Sequence, residues 1–329
     1  MSELRRDPRR DEWLIVAPQR QDRTYHPPPD HCPLCPTRPG GQSGEIPEPD
    51  FDIAVFENRF PGLRRDEPGD PRPTLDRSDP PLLARAAGLG QAEVVVYTPE
   101  HRGSLGSLDL DRVERLIRVW THRYAALSAR EEVRHIFIFE NRGPEIGVTL
   151  EHPHGQIYAY PFIPPIPARE LDVEARHHRR TGRCLGCDLI AAELDAGERV
   201  VVASDHVVAH VPFAPRWPYE LHLSMRPHRH SLPRINSDER HSLAALLRAA
   251  LAGYDRLFDR PMPYILAIRQ APTASTPGPG SHLRIELYPA LRARDRLKHR
   301  AGSETAMGVT VTDVAPERAA ERLRQVVTP

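Results

Sequence analysis

NRGPEIGVTLEHPHGQ, residues 141–156, is the stretch of this sequence that decides the fold. It follows the apolar run IFIF at 136–139, a pattern typical of a buried strand. His152, His154 and Gln156 are spaced by two, so on an extended backbone their side chains share one face of the strand. We therefore expect one imidazole to be held in place while its neighbour does chemistry.

A pair of cysteines and a further histidine support a functional role for this motif. The chain has 17 histidines, and two histidines close in sequence are more often solvated or structural than functional. Cys32 and Cys35, however, form a C-x-x-C pair, and His101 follows at a distance. Two cysteines and two histidines make a tetrahedral zinc set, so Cys32, Cys35, His101 and His152 are predicted as a first zinc site. A redox dithiol is the alternative for a C-x-x-C pair taken alone.

Composition excludes several classes of protein. The chain has 329 residues, with 45 basic and 45 acidic side chains, so no overall charge favours nucleic acid or a membrane surface as partner. The N-terminus lacks the apolar core of a signal peptide, and no run of 18 apolar residues occurs. The four cysteines are therefore expected to bind metal rather than form disulfides, in a cytoplasmic enzyme.

The sequence pattern predicts that the chain is a tandem duplication. Two predicted amphipathic helices match each other at an offset of 130, since Tyr124 corresponds to Tyr254. Their apolar positions are 113, 116, 117, 120, 124 and 127 in the first helix and 243, 246, 247, 250, 254 and 257 in the second. The same offset places His154 on Arg284 and Gln156 on Glu286, so only the first half carries a candidate nucleophile.

Each repeat is predicted to contain a C-x-x-C pair, a short meander, a helix, a strand and the histidine strand. This is an α+β module, an antiparallel sheet with helices packed on it, with domains at 1–165 and 166–329. The second zinc site would use Cys184, Cys187, His282 and either His228 or His230. His230 is preferred because 282 − 230 = 52 is close to 152 − 101 = 51. Two zinc ions per chain are predicted, both structural, because four protein ligands leave no open position.

At this point the sequence resembles the galactose-1-phosphate uridylyltransferase family of the histidine-triad superfamily. The resemblance covers nearly the whole chain, and Asn-Arg-Gly followed by His-Pro-His-Gly-Gln is its most specific part. The segments 13–24, 55–60, 218–220 and 301–304 support it.

The resemblance implies a ping-pong exchange of UMP between UDP-glucose and galactose 1-phosphate. His154 would attack the α-phosphorus and form a uridylyl-histidine, and Gln156 would donate hydrogen bonds to phosphoryl oxygens. Neutral imidazole is a competent nucleophile near its ordinary pKa of roughly 6.5. Gln156 in place of a third histidine favours transfer over hydrolysis.

The substrate-binding positions are also implied by the resemblance. A homodimer is expected, because the sugar-binding residues would come from the neighbouring subunit. The implied contacts are Arg20, Arg23, Asn141 and Thr149 at the phosphates, Leu34, Phe56 and Asn58 at the nucleoside, Lys298, Ala301 and Glu304 at the sugar, and Gly147 as a further substrate contact.

Three alternative functions remain at this stage. An ADP-sugar phosphorylase or adenylyltransferase would share the architecture, but a His-Ser-His triplet is expected there. A histidine-triad hydrolase is disfavoured by Gln156. A non-catalytic zinc protein that binds nucleic acid would need a basic surface, which the neutral charge does not predict.

Overall fold

One antiparallel sheet of nine strands passes through both halves of the chain in the computed structural model, which describes residues 2–22, 26–37, 44–65, 82–273 and 280–328. The strands are β1 (Glu3–Asp7), β2 (Glu12–Val16), β3 (Ala54–Glu57), β4 (Arg85–Ala87), β5 (Gln91–Val96), β6 (His135–Arg142), β7 (His154–Tyr160), β8 (Val200–Ala203), β9 (Val207–His210), β10 (Leu221–Met225), β11 (Tyr264–Arg269), β12 (Arg284–Pro289), β13 (Leu291–Ala293) and β14 (Arg296–Leu297). The helices are α1 (Leu110–Ser128), α2 (Pro165–Thr181), α3 (Leu185–Ala196), α4 (Ser237–Leu257) and α5 (Pro316–Val326).

The order of the strands in the sheet reflects the duplication of the chain. It runs β3-β5-β7-β6-β11-β12-β10-β9-β8, and the halves join where β6 pairs with β11. Outward from this junction the first half has β6, β7 and β5, and the second has β11, β12 and β10. Each half thus repeats one α+β unit, and the predicted fold class is confirmed.

The two long helices cover one face of this sheet. All six apolar positions predicted on α1 are buried, and so are all six predicted on α4. They join the sheet in one hydrophobic core that spans both repeats. The hydroxyls of Tyr124 and Tyr254, which are equivalent by the offset of 130, both donate to backbone carbonyls. The helical periodicity alone was therefore enough to predict this half of the core.

The opposite face of β7 carries the polar side chains. Burial alternates along this strand, with Ile157 buried between the half-buried Gln156 and Tyr158. The strand begins at His154, not at His152 as the spacing predicted, because Pro153 has no N–H to offer a strand ladder. His152 instead lies buried before the strand.

Smaller elements flank the main sheet. β2, β1 and β4 form a three-stranded sheet, and β13 pairs with β14. Of the Pro-rich stretch 66–87, residues 66–81 lie outside the described part of the chain, and the end of the stretch forms β4. Among the described helices, none has both the length and the apolar character needed to cross a bilayer.

Candidate active site and metal centres

A cleft of about 600 Å³, including its open mouth, lies over β5 and β7. Six of its lining residues are among those named from the sequence. These are Arg20, Leu34, Asn58, Thr149, His154 and Gln156. Four further lining residues were not: Glu45, Phe60, Val94 and Leu150.

His154 is oriented by one backbone hydrogen bond. Its Nδ1 lies 2.7 Å from the carbonyl oxygen of His152, which can only accept, so Nδ1 carries the proton. Nε2 then holds a free lone pair, and no partner for it occurs among the described residues. Burial lowers the pKa of His154, so the ring is neutral near pH 7. This arrangement provides a neutral imidazole with one nitrogen available for attack.

Position 155 requires glycine, because atoms of two neighbouring residues lie close beneath β7 at this point. A Cβ at this position would lie 2.2 Å from the hydroxyl of Tyr97 and 2.9 Å from the carbonyl oxygen of Phe139. Tyr97 is fully buried, so it has little room to move away. The glycine in the His-Pro-His-Gly-Gln motif is therefore a packing requirement of β7.

Gly155→Ala should lower the free energy of unfolding by about 3 kcal/mol, because the methyl group overpacks a closed core. Urea denaturation measures this loss. Gly302→Ala is the control, since its added Cβ would meet nothing within 4 Å and its φ of −56° suits alanine. An equal, small effect of both substitutions would contradict the packing requirement.

Polar groups beside His154 present donors to the cleft. The Asn58 amide donates to Gln156 Oε1 over 3.2 Å, which leaves the Gln156 amide nitrogen free to donate. Arg20 donates to the hydroxyl of Tyr158 over 3.0 Å and brings a positive charge to the same wall. A guanidinium and a free amide beside a nucleophilic ring are suited to a phosphate group.

Four side chains converge behind the cleft. The ligand atoms of Cys32, Cys35, His101 and His152 lie within 4.8 Å of one another. Nδ1 of His152 lies 3.9 Å from Sγ of Cys32 and 3.5 Å from Sγ of Cys35, and Nδ1 of His101 lies 3.5 Å from Sγ of Cys35. Ligand atoms around a tetrahedral zinc ion are typically separated by about 3.3–3.8 Å. The predicted first set therefore fits a metal ion.

The protonation of these residues agrees with metal binding. Nε2 of His152 donates to the carbonyl of Thr98 over 2.8 Å, which leaves Nδ1 as the ligand nitrogen. Burial lowers the pKa of His152 to about 4, so the ring is neutral. Burial also raises the pKa of the Cys32 thiol to about 12, and a bound cation would reverse that shift.

The second set uses His228, so the preference for His230 is wrong. The ligand atoms of Cys184, Cys187, His228 and His282 lie within 4.8 Å of one another. Nδ1 of His282 lies 3.7 Å and 3.6 Å from the two sulfurs, and Nδ1 of His228 lies 3.7 Å from that of Cys187. The free Nδ1 of His230 is buried, with no partner among the described residues.

The preference for His230 was wrong because it compared the spacing between the two histidines of each site. The spacing that the two sites share runs from the first histidine to the helix that follows it. His101 lies eight residues before the N-cap of α1, since 109 − 101 = 8, and His228 lies eight before the N-cap of α4, since 236 − 228 = 8. Relative to its core positions, α4 begins about one turn earlier than α1, which lengthens the spacing from His228 to His282. Each site also repeats one bond: the carbonyl three residues before the first histidine accepts from the second, at Thr98 and at Met225.

The second repeat has an ion-pair cluster at the position of the candidate nucleophile. Arg284 donates to Glu286 over 2.7 Å, and its guanidinium lies 3.1 Å from Glu170 on α2. Arg269 donates to the other oxygen of Glu286 over 2.7 Å. Burial by itself would raise the pKa of the Glu286 carboxyl. The guanidinium groups, chiefly that of Arg284, outweigh this effect and hold the pKa well below its usual range. This position is therefore occupied by mutually paired charges.

Several predicted contact residues do not line the cleft. Phe56 on β3 packs against the apolar cluster behind Leu34, and Asn141 pairs with Ile265 in the sheet. Gly147, with φ of 82°, ends a turn that an L side chain would strain. Arg23 lies outside the described residues.

None of the three predicted sugar-binding residues lines the cleft of its own chain. Lys298 forms a short ion pair with Glu304 and donates to the carbonyl of Val311. Glu304 also accepts from the backbone N–H of Ala301 over 3.1 Å. The Lys298 ammonium is the first cause of a Glu304 pKa lowered to about 2. Lys298 thus fixes an ionised Glu304.

Of the cleft residues that were not predicted, one could have been found from the sequence pattern and another could not. Val94 lies opposite Gln156 in the β5–β7 ladder, so predicting that strand pair would have placed it. Glu45 lies in an irregular segment, where no periodicity indicates direction.

Comparison with known proteins now agrees with this geometry. Residues 1–164 match the family described as galactose-1-phosphate uridyl transferase, N-terminal domain, and residues 170–328 match its C-terminal domain. The chain belongs to this family. The resemblance seen in the motifs is therefore confirmed. A galactose-1-phosphate uridylyltransferase of Thermotoga maritima is 37% identical over 326 residues, 99% of this chain and 98% of the relative.

Two solved structures share the fold over nearly the full length of the chain. The structure titled uridylyltransferase has a TM-score of 0.86 at 30% identity, covering 99% of this chain and 98% of the other. An ADP-glucose phosphorylase from Arabidopsis thaliana has a TM-score of 0.77 at 25% identity, covering 99% of both chains.

Proposed function

We propose that this protein transfers UMP between UDP-glucose and galactose 1-phosphate through a covalent intermediate on His154. The observation that carries the proposal is the orientation of that ring, with Nδ1–H bound to a backbone carbonyl and Nε2 free in the cleft. The relatives in its family are named for uridylyl transfer and galactose 1-phosphate, which supports this choice of substrates.

The first half-reaction follows from this geometry. The Nε2 lone pair attacks the α-phosphorus of UDP-glucose, and the bond from that phosphorus to the bridging oxygen breaks. Glucose 1-phosphate leaves with the electron pair, so no strong acid is needed. The carbonyl of His152 accepts from Nδ1–H and stabilises the positive charge that develops on the ring. A phosphate oxygen of galactose 1-phosphate then attacks the same phosphorus, the bond from phosphorus to Nε2 breaks, and UDP-galactose leaves while His154 returns to its neutral form.

The free Gln156 amide and Arg20 are assigned to the phosphoryl oxygens, with Thr149 on the same wall. Neither the amide nor the guanidinium changes charge near neutral pH, so neither can serve as a base that activates water. Arg23, Asn141 and Gly147 are kept as proposed contacts, and Leu34, Phe56 and Asn58 as the nucleoside wall.

Zinc is the ion we propose for both sets of two cysteines and two histidines, because thiolates and imidazoles in this number suit it best. When bound, it would crosslink distant segments of the chain without an open coordination position. Because His152 is both a ligand and the partner of His154, the first site would also support the nucleophile.

Trapping the intermediate tests the proposal. The protein is incubated with UDP-glucose labelled either in uridine or in glucose and is then denatured. Uridine label should stay on the protein in an acid-labile, base-stable form, and glucose label should not. Retention of neither label, or of the glucose label, would contradict a uridylyl-histidine.

A homodimer with shared sites is part of the same proposal, as is the predicted cytoplasmic location. None of the residues predicted to bind the sugar, Lys298, Ala301 and Glu304, lines the chain's own cleft, which supports a role in a neighbouring subunit. Lys298 would act by holding Glu304 ionised for the sugar hydroxyls.

Lys298→Ala should raise the KM for galactose 1-phosphate, because Glu304 loses its ion pair. Mixing this variant with His154→Ala tests the sharing of sites, provided that exchange is assayed at a galactose 1-phosphate concentration far below the raised KM, where each variant alone is nearly inactive. If dimers exchange subunits freely, half are mixed and each mixed dimer has one intact site, so about a quarter of wild-type activity should return. Mixtures that exchange subunits yet stay inactive would place Lys298 in its own chain's chemistry or structure.

Nucleotidyl transfer from an ADP-sugar is the second candidate, supported by the likeness to the ADP-glucose phosphorylase. Labelled ADP-glucose in the same trapping experiment separates the two: the better donor leaves more label per protein chain in the first turnover.

A further inference from the structure

The segment 44–46 brings one carboxylate to the cleft. Its backbone packs on the first C-x-x-C loop, where Glu45 N–H donates to the carbonyl of Pro33 over 2.7 Å and Thr37 N–H donates to that of Ile46 over 3.1 Å. A Cβ on Gly44 would lie 2.7 Å from the carbonyl oxygen of Pro33. The position of Glu45 is therefore fixed by the same loop that carries Cys32 and Cys35.

Glu45 is the only acidic side chain among the described residues that line this cleft. It is half-buried, and within the described ranges its carboxylate has no hydrogen-bond or ion-pair partner. Burial raises the pKa of its carboxyl, against a smaller effect of Arg59. A carboxylate in this environment is costly unless a ligand supplies donors to it.

The cleft has two chemically different ends. One end carries Arg20, Thr149, His154 and Gln156 and suits phosphates. The other end is formed by Leu34, Val94 and Leu150, which belong to the apolar cluster around the C-x-x-C loop and suit a flat base.

Glu45 lies on the apolar side, because its backbone is bonded to the residue before Leu34. A carboxylate repels phosphate and gains nothing from an apolar base edge, so it must face a group rich in donors. In a nucleotide the ribose lies between the base and the phosphates, and its two hydroxyls are such donors.

We propose that Glu45 binds the ribose diol of the nucleotide and makes the cleft selective for ribonucleotides. This inference rests on the proposed function, and it assigns a role to a residue with no part in the transfer chemistry. An ionised carboxylate offers two acceptor oxygens, which match the 2′- and 3′-hydroxyls, and acidic residues bind ribose in the same way in dinucleotide folds. Uracil fits less well, because its single N–H lies between two carbonyl oxygens that a carboxylate repels.

Binding of UMP and 2′-deoxy-UMP, measured by calorimetry, tests the proposal. The wild-type protein should bind UMP about tenfold more tightly, the size expected for one hydrogen bond to a charged group. Glu45→Ala should bring this ratio close to one, by weakening UMP and leaving 2′-deoxy-UMP nearly unchanged. Glu45→Gln keeps one acceptor oxygen and should give an intermediate ratio.

Glu48→Ala is the matched control, since Glu48 is an exposed acid nearby on the same stretch and does not line the cleft. It should keep the tenfold ratio. Glu45→Ala should also keep the wild-type melting temperature, because it removes a carboxylate without a described partner; if it does not fold, Glu45→Gln carries the test.

An unchanged ratio in both Glu45 variants, or an equal loss of both nucleotides, would overturn the inference. The first result would place the carboxylate away from the ribose, for example at the hexose, which UMP lacks. The second would place it at the base. A wild-type protein that binds neither nucleotide would instead overturn the proposed function.

Discussion

His154→Ala should reduce exchange between UDP-glucose and galactose 1-phosphate by about 10⁴-fold or more, the scale seen when a covalent nucleophile is removed. Within the cleft, His154 is the only lining imidazole among the described residues, so no other ring can form the intermediate. Exchange of labelled hexose 1-phosphate into UDP-hexose measures the loss, together with uridine label retained on the protein.

The fold should survive this change, because His154 is half-buried at an open cleft and makes a single hydrogen bond. His122→Ala is a control for histidine substitution, since His122 is exposed on α1, on the opposite face of the sheet. It should keep full exchange. Substantial exchange by purified, folded His154→Ala would remove the covalent mechanism.

Cys32→Ser should lower the free energy of unfolding by roughly 5 kcal/mol, since structural zinc contributes more than about 10 kcal/mol to small zinc domains. Serine is nearly isosteric with cysteine, so little of this loss would come from a cavity. Exchange should fall as well, because His152 would no longer be held by an ion while its carbonyl orients His154. Denaturation and metal content, measured on protein never exposed to chelator, give both effects.

Cys184→Ser is the matched variant in the second repeat. It should lose one ion per chain and stability, but keep exchange within a few-fold, because His282 is followed by the paired Arg284 and not by a nucleophile. Wild-type protein should contain two ions per chain. One ion or none would contradict the metal proposal, and equal losses of exchange in the two variants would contradict the link through His152.

Patterns within single elements predicted most of the fold. The period of 3.6 residues identified every buried position named on α1 and α4, and the period of two placed His154 and Gln156 together on β7. The first metal set could also be chosen from residue types, because the chain has only four cysteines and they form two C-x-x-C pairs.

The number of residues between elements predicted the metal ligands less well than the patterns within elements. His228 was passed over because a helix that begins one turn earlier changes the count without changing the site. The offset between the two C-x-x-C pairs also differs from that of the helices, since 184 − 32 = 152 and not 130, because the connection between the first pair and α1 is longer. A count along the chain is reliable only where the intervening element has a fixed length.

The sequence by itself determined the repeated α+β unit and the choice of His154 as candidate nucleophile with His152 as its supporting histidine, since each depends on local periodicity and side-chain chemistry. Only the tertiary structure decided that His228 completes the second set, that Val94 faces Gln156, and that Glu45 reaches the cleft. It also decided that Lys298 is paired with Glu304 within the chain. These are contacts between segments far apart in sequence, fixed by strand pairing and by how loops pack on the sheet, and no local pattern encodes such contacts.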